Sequence, residues 1–338
     1  MSENRQPTVA VIVPCYNEAA TIADVVLAFR SHLPGAAVYV FDNNSVDATA
    51  ARARTAGAVV RSVPLQGKGN VVRRMFADVE ADVYVMVDGD GTYDASAAPA
   101  LVRRLCEEGL DMLVGARVSE EQAAYRFGHR FGNALLTSFA AALFGRTFTD
   151  MLSGYRVFSR RYAKSFPAHS SGFEIETELA VHALEQRMPV GEQRTTYLSR
   201  PTGSESKLNT YRDGWRILMT ILKLFKSEKP LAFFSSGFFA CSLLSLLLAF
   251  PLLTTYLDTG LVPRLPTALL CVALALLGMI LLTCGIVLDT VTQGRLEMKR
   301  LAYLREPPPP PTWSEPATNS AVSHVSMTAA PAGAPVHS

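Results

Sequence analysis

The sequence predicts an α/β protein: a mostly parallel sheet flanked by helices, followed by a C-terminal two-helix transmembrane hairpin. Three observations predict it. Short β-rich apolar runs alternate with segments of helical periodicity. Those runs end in polar residues, as strands do when they deliver a site to one sheet edge. Near the C-terminus, two stretches of more than twenty residues carry no charge, enough for a helix to cross roughly 30 Å of hydrocarbon.

Val9 to Val13 is a continuous apolar run, expected of a strand covered on both faces. Ile22, Val25, Val26, Phe29 and Leu33 then recur at helical spacing. A second strand, Ala37 to Phe41, runs into Asp42-Asn43-Asn44-Ser45. Ser45 is expected to cap the next helix, which stops near Gly57. Val83 to Val87 is a third strand, ending at Asp88, and Met112 to Val114 a fourth, ending at Gly115-Ala116-Arg117. Asp42, Asp88 and Arg117 therefore fall at carboxyl ends of strands, where such sheets bind ligands.

The uncharged stretches are Leu231 to Leu253 and Leu265 to Leu288. Arg212, Arg216, Lys223, Lys226 and Lys229 precede them; Arg295, Lys299, Arg300 and Arg305 follow. The positive-inside bias puts both flanks, both termini and the α/β domain in the cytoplasm. Trp215, Leu218, Ile221, Leu222 and Phe225 form an apolar stripe with basic residues interleaved, the pattern of a helix lying in the membrane interface. From Pro307 onward the Pro-, Ser- and Ala-rich tail lacks the apolar content to fold. Four segments result: a domain over 1–210, an amphipathic juxtamembrane helix over 211–230, two spans within 231–292, and a basic segment with a disordered tail over 293–338.

A net charge of +2 argues against general nucleic-acid binding. The five cysteines have neither metal-ligand nor redox spacing. The N-terminal apolar run is too short for a signal peptide and ends in Pro14.

Asp88-Gly89-Asp90 offers two carboxylates, two residues apart at a strand end, so both can point the same way. A hard divalent cation, Mg²⁺ or Mn²⁺, suits such oxygen ligands and accepts phosphate oxygens beside them. It would offset charge on a departing diphosphate. Gly89 lets backbone and ligand approach closely. Tyr16 can offer a flat surface to a nucleotide base, with Glu18 and Asp42 accepting from base or ribose; Asn17 and Glu18 could equally cap the first helix. Gln66-Gly67-Lys68-Gly69-Asn70 has the look of a phosphate-cradling turn without Walker spacing.

VIVPCYNE, DNNSVDAT, GKGN, VDGDGTYD, GAR, RFGHRFGN, DMLSGYR, FEIETEL and RPTGSESKL follow one another over residues 9 to 208. As an ordered set they resemble the family 2 glycosyltransferases of GT-A fold. The dolichol-phosphate mannose synthases and bacterial polyprenyl-phosphate glycosyltransferases are the nearest in pattern, and the C-terminal hairpin is similar to that of the bacterial members. The resemblance implies that Pro14, Tyr16, Glu18 and Asp42 bind the nucleoside, while Asp88 and Asp90 bind the metal with Gly89 against the nucleotide. It further implies Lys68 in the donor site, Arg117 and Lys207 on the diphosphate or sugar, and Arg200 closing over the phosphates. Arg130 and Arg126 would hold the acceptor lipid phosphate, and Asp150 would lie near the reacting carbon as a base, an orienter of arginine or a sugar contact. The implied partners are a nucleotide sugar, a polyprenyl phosphate and the bilayer, with a homo-oligomer and a bacterial plasma membrane suggested by the bacterial members.

Three positions depart from the pattern: Asn43 where a second aspartate is frequent, Thr92 in place of a glutamine metal ligand, leaving an extra water or Asp94 to fill that place, and Ala116 in place of serine. A processive polysaccharide synthase is disfavoured because no Gln-x-x-Arg-Trp motif is present. A catalytically silent nucleotide-binding scaffold is disfavoured by the retained aspartates and arginines.

Overall fold

The computed structural model describes residues 7–118, 148–198 except 171 and 173, and 225–313, together with Ser138, Met219, Leu222 and Lys223. Seven strands form one sheet: β1 (Val9–Cys15), β2 (Ala37–Asp42), β3 (Val59–Ser62), β4 (Val83–Met86), β5 (Met112–Val118), β6 (Arg156–Ser159) and β7 (Val190–Thr196). Their order across the sheet is β3-β2-β1-β4-β6-β5-β7. Only β6 runs antiparallel to its neighbours, β4 and β5; the other pairings are parallel.

The period-2 geometry of strands splits the apolar runs between two faces. Val9, Val11, Val13, Val83 and Val85 enter one core with α1 (Ile22–His32), α2 (Thr49–Thr55) and α4 (Ala98–Glu107). Ala10, Ile12, Tyr84 and Met86 enter the other with α3 (Lys68–Asp78), α5 (Arg160–Ser165) and α6 (Ile175–Glu185). Two covered faces explain why the strands read as unbroken hydrophobic runs.

Ser45 does not cap α2. Its hydroxyl accepts from the Asn17 N–H (2.9 Å), and the Asp47 carboxylate accepts from Thr49 N–H (3.0 Å) at the helix start. The longer reach of Asp47 leaves Ser45 to join the loop after β1 to the loop after β2. Arg126, Arg130, Arg200, Lys207 and most of the juxtamembrane stretch 211–230 lie outside the described residues.

Two helices follow, α7 (Pro230–Thr259) and α8 (Leu265–Arg305), each long and apolar enough to cross a membrane. They pack against one another as a hairpin. On α8 the buried residues are Cys271, Gly278, Gly285 and Thr292, a small side chain every seventh position. That repeat makes a smooth seam for close approach in an apolar medium. The β-carbon that Gly278 lacks would lie 3.3 Å from Phe238, and that of Gly285 3.0 Å from Phe234.

α8 outlasts its apolar stretch. At 41 residues it is about 60 Å long, roughly twice the hydrocarbon thickness. The basic segment expected after the spans is thus the second half of a continuous helix, and it rests on the α/β domain. Tyr303 Oη donates to Asp111 (2.7 Å), Lys299 pairs with Glu185 (2.7 Å), and Arg160 with Glu306 (2.8 Å). Beyond it the chain was expected to be loose from Pro307. Trp313 instead is 7% exposed and belongs to the core that includes α1 and α4, because one large indole supplies the burial its Pro-rich surroundings lack.

Candidate active site

The carboxyl ends of β1, β2 and β4 lie side by side. The loops after β1 and β2 are joined by polar contacts: Val46 N–H to Asn17 Oδ1 (2.9 Å), Glu18 N–H to Thr49 Oγ1 (2.9 Å) and Ala19 N–H to Asp47 Oδ2 (3.1 Å). Asn17 and Asn44 take positive φ values of 53° and 62° there, tolerable for asparagine. Pro14 is the next-to-last residue of β1, and Tyr16, just past its end, is 38% exposed.

Asp42, Glu18, Asp88 and Asp90 surround the buried Cys15. Burial pushes the Cys15 thiol up, and the charges of Glu18, Asp88, Asp42 and Asp90 push it further. Asp42 is 9% exposed, and its Oδ1 has no hydrogen-bond partner among the described residues. A buried acceptor left unpaired costs about 1–3 kcal/mol, so it calls for a ligand donor. Gly89 is required by the protein itself: a β-carbon there would come within 2.5 Å of Cys15 Sγ. Its carbonyl accepts from Thr21 Oγ1 (2.7 Å).

Thr92 and Asp94 are not disposed as a third metal ligand. Thr92 is fully buried and donates from Oγ1 (2.6 Å) and N–H (3.2 Å) to Asp90 Oδ1, fixing that carboxylate. Asp94 accepts from Ser96 N–H (2.8 Å) and Oγ (2.7 Å), capping a short 3₁₀ turn. Among the described residues no three His, Cys, Asp or Glu side chains gather as a metal cage. Two aspartates whose remaining partners come from a ligand's phosphates suit Mg²⁺ or Mn²⁺, and the oxygen donor set fits that class of ion.

Asn43 has a role the sequence did not disclose. Its amide donates to the carbonyls of Val63 (2.9 Å) and Leu65 (2.7 Å) and accepts from Gly67 N–H (2.7 Å). An aspartate could make only the last of these. Asn43 thereby sets the turn that starts α3 and aims Lys68. The Lys68 ammonium lies 2.6 Å from Asp88 and 2.7 Å from Glu176, in the first turn of α6. Burial alone would lower its pKa, but Asp88 and Glu176 hold it above its usual value. Gly154 backs Asp88 from the other side, since a β-carbon there would lie 2.3 Å from Asp88 Oδ2.

Arg117, at the end of β5, is gripped by Asp150. Nε lies 2.7 Å from Oδ2 and Nη2 2.8 Å from Oδ1, a bidentate fork. The guanidinium also sits 5.5 Å from the centre of the Tyr197 ring. Of the three roles open to Asp150 from sequence, this geometry is that of an orienter of arginine. The 149–150 backbone is held in turn by Glu192, which accepts from Thr149 and Asp150 N–H groups (3.0 Å). Arg156 is fully buried and donates to the carbonyls of Ser153 (2.9 Å) and Met151 (2.5 Å), pinning the same loop from below.

A profile described as glycosyl transferase family 2 matches residues 10–166. The glycosyltransferase AglJ of Haloferax volcanii is 35% identical over 299 residues, covering 88% of this chain and 98% of that one. A dolichyl-phosphate hexose transferase of the same organism is 26% identical over 68% of this chain and 99% of its own. Among solved structures, glucosyl-3-phosphoglycerate synthase of Mycobacterium tuberculosis, crystallised with Mn²⁺, UDP and phosphoglyceric acid, shares the fold. Its TM-score is 0.54 at 23% identity, over 65% of this chain and 78% of that one.

Proposed function

The chain belongs to glycosyl transferase family 2, and we propose that it moves a hexose from a UDP- or GDP-linked donor to a polyprenyl phosphate at the cytoplasmic membrane face. The observation that carries this reading is one continuous chain joining carboxylate-lined strand ends to two helices of membrane-crossing length. The name of the dolichyl-phosphate hexose transferase supports a lipid-phosphate acceptor, and the Mn²⁺ and UDP held by the M. tuberculosis enzyme support a metal–nucleotide donor.

Pro14, Tyr16 and Glu18 frame the nucleoside, and the unpaired Asp42 Oδ1 accepts one of its N–H or O–H groups. Asp88 and Asp90 would hold Mg²⁺ or Mn²⁺; when bound, the ion offsets charge on the leaving diphosphate. Arg117, held by Asp150, contacts the diphosphate or sugar as a fixed cation. Arg200 and Lys207 complete the donor site, and Arg126 and Arg130 bind the acceptor phosphate. With its second pKa near 6, that phosphate is mostly dianionic at neutral pH, so attack needs little proton removal. Its oxygen displaces the diphosphate in line at the anomeric carbon, giving a β-linked product from an α-linked donor. The basic flanks of both candidate spans support a cytoplasmic domain with both termini on that side; a bacterial plasma membrane and a homo-oligomer belong to the same proposal.

The purified chain, given UDP- and GDP-sugars, a short polyprenyl phosphate and Mg²⁺ or Mn²⁺, is expected to form a lipid-linked sugar. Asp90→Asn should lower that rate by at least about a hundredfold, as expected for loss of a charge-stabilising ligand. Transfer only to water or to sugar hydroxyls would reject the acceptor, and an α-linked product by NMR would reject single displacement.

A further inference from the structure

Asp88 is expected to face a donor-borne divalent cation, yet its Oδ1 is already engaged by the Lys68 ammonium. A metal ion and an ammonium on one carboxylate repel each other. The Lys68 side chain is only 9% exposed, so it cannot simply turn to water when the donor enters. A buried ammonium stripped of its partner is costly. Glu176 lies on the other side of the same ammonium at 2.7 Å, its own side chain 12% exposed. Three separate elements are needed to place the trio: the start of α3, the end of β4 and the first turn of α6. No motif spacing joins Lys68 to Glu176, which are 108 residues apart.

We propose that Glu176 is a positioning residue: by sharing Lys68, it lets Asp88 pass from the ammonium to the metal–diphosphate of the donor. This deepens the donor-site reading above and rests on it. With Glu176 in place, Lys68 keeps a carboxylate partner throughout and stays beside the incoming phosphates as a fixed cation. With Glu176 neutral, Asp88 is the one carboxylate of this trio left facing Lys68, and donor entry must break that pair. Removing Lys68 as well abolishes the competition, so Glu176 should then hardly matter. That interdependence separates positioning from a general structural role, which would persist whatever stood at position 68.

The test measures Mn²⁺ binding by electron paramagnetic resonance on the full-length protein in detergent, with UDP or GDP present. Glu176→Gln should weaken nucleotide-dependent Mn²⁺ binding by about tenfold or more, the scale of stranding one buried charge. Glu176→Asp should recover part of the loss. In a Lys68→Met background, adding Glu176→Gln should change binding by no more than about twofold, the additive limit of a double-mutant cycle. Native-like binding by Glu176→Gln, or an equal loss in both backgrounds, would overturn the proposal while leaving the donor site standing. Absence of nucleotide-dependent Mn²⁺ binding in the unmodified protein would overturn the donor-site reading and this inference together.

Discussion

Asp150 and Arg117 show how one residue acts through another. Both oxygens of the carboxylate are used on the guanidinium, which leaves Asp150 poorly placed to take a proton and well placed to fix a cation. Asp150→Asn keeps the shape but removes the charge and one acceptor of the fork. Its kcat is expected to fall roughly tenfold to a hundredfold, about 1.4 kcal/mol per decade, with a smaller change in donor affinity. Single-turnover rates set beside donor binding check it; unchanged turnover would remove Asp150 from the site. Strand-end positions such as Asp42, Asp88 and Arg117 were legible because the α/β rule points to them from local pattern alone. Asn43, Thr92 and Glu176 were not. Their partners are backbone carbonyls about twenty residues away, a neighbouring aspartate oxygen and a lysine 108 residues distant, and no periodicity encodes such contacts.

At the scale of elements, α6 brings a chemical liability into the core. His182 is 2% exposed, packed edge-on against the rings of Tyr162 and Phe166, with Nε2 3.2 Å from Ser165 Oγ. Its Nδ1 has no partner among the described residues. Burial, aided by the charge of Lys299, pushes the imidazole down to about 3. The unfolded chain takes up a proton near pH 6.5, and the folded chain does so only near 3. The stability from a neutral His182 is therefore complete above pH 6.5 and is lost progressively as pH falls towards 3. Between pH 7.5 and 5 this amounts to about 2 kcal/mol at most. Thermal unfolding of His182→Gln should show a shallower acid decline than the native chain; parallel curves would exclude His182 as a source of it. The strands were easier to foresee than this helix. A strand covered on both faces is a plain apolar run, whereas β3 is a largely exposed edge and β6 mixes a buried arginine into four residues, so neither stands out.

On the scale of the whole molecule, α8 joins the hairpin of membrane-crossing length to the α/β domain. The helix does not stop where its apolar stretch ends but continues to Arg305 and docks at the start of β5, the end of the sheet opposite the site. The dock centres on Asp111, fully buried and shared by Arg161 (2.5 Å), Ser159 (2.7 Å) and Tyr303 (2.7 Å). Arg161 also stacks 4.7 Å from the centre of the Tyr303 ring. A continuous helix is stiff, so in the membrane setting proposed above this dock would fix the height and tilt of the sheet over the bilayer. The proposed acceptor phosphate must lie at the headgroup plane, and 1.5 Å of rise per residue leaves little tolerance for error. Tyr303→Phe loses one hydrogen bond to a charged group and should cost about 1.5–3 kcal/mol of domain stability. Tyr303→Ala combined with Lys299→Ala and Glu306→Ala removes the contacts to Asp111, Glu185 and Arg160 and should release the strut. Donor binding and transfer to a detergent-dispersed short-chain acceptor should then persist, while transfer to polyprenyl phosphate embedded in vesicles falls severalfold. Equal rates on the two acceptors would show that the dock serves stability alone, and that the hairpin tethers the domain without aiming it.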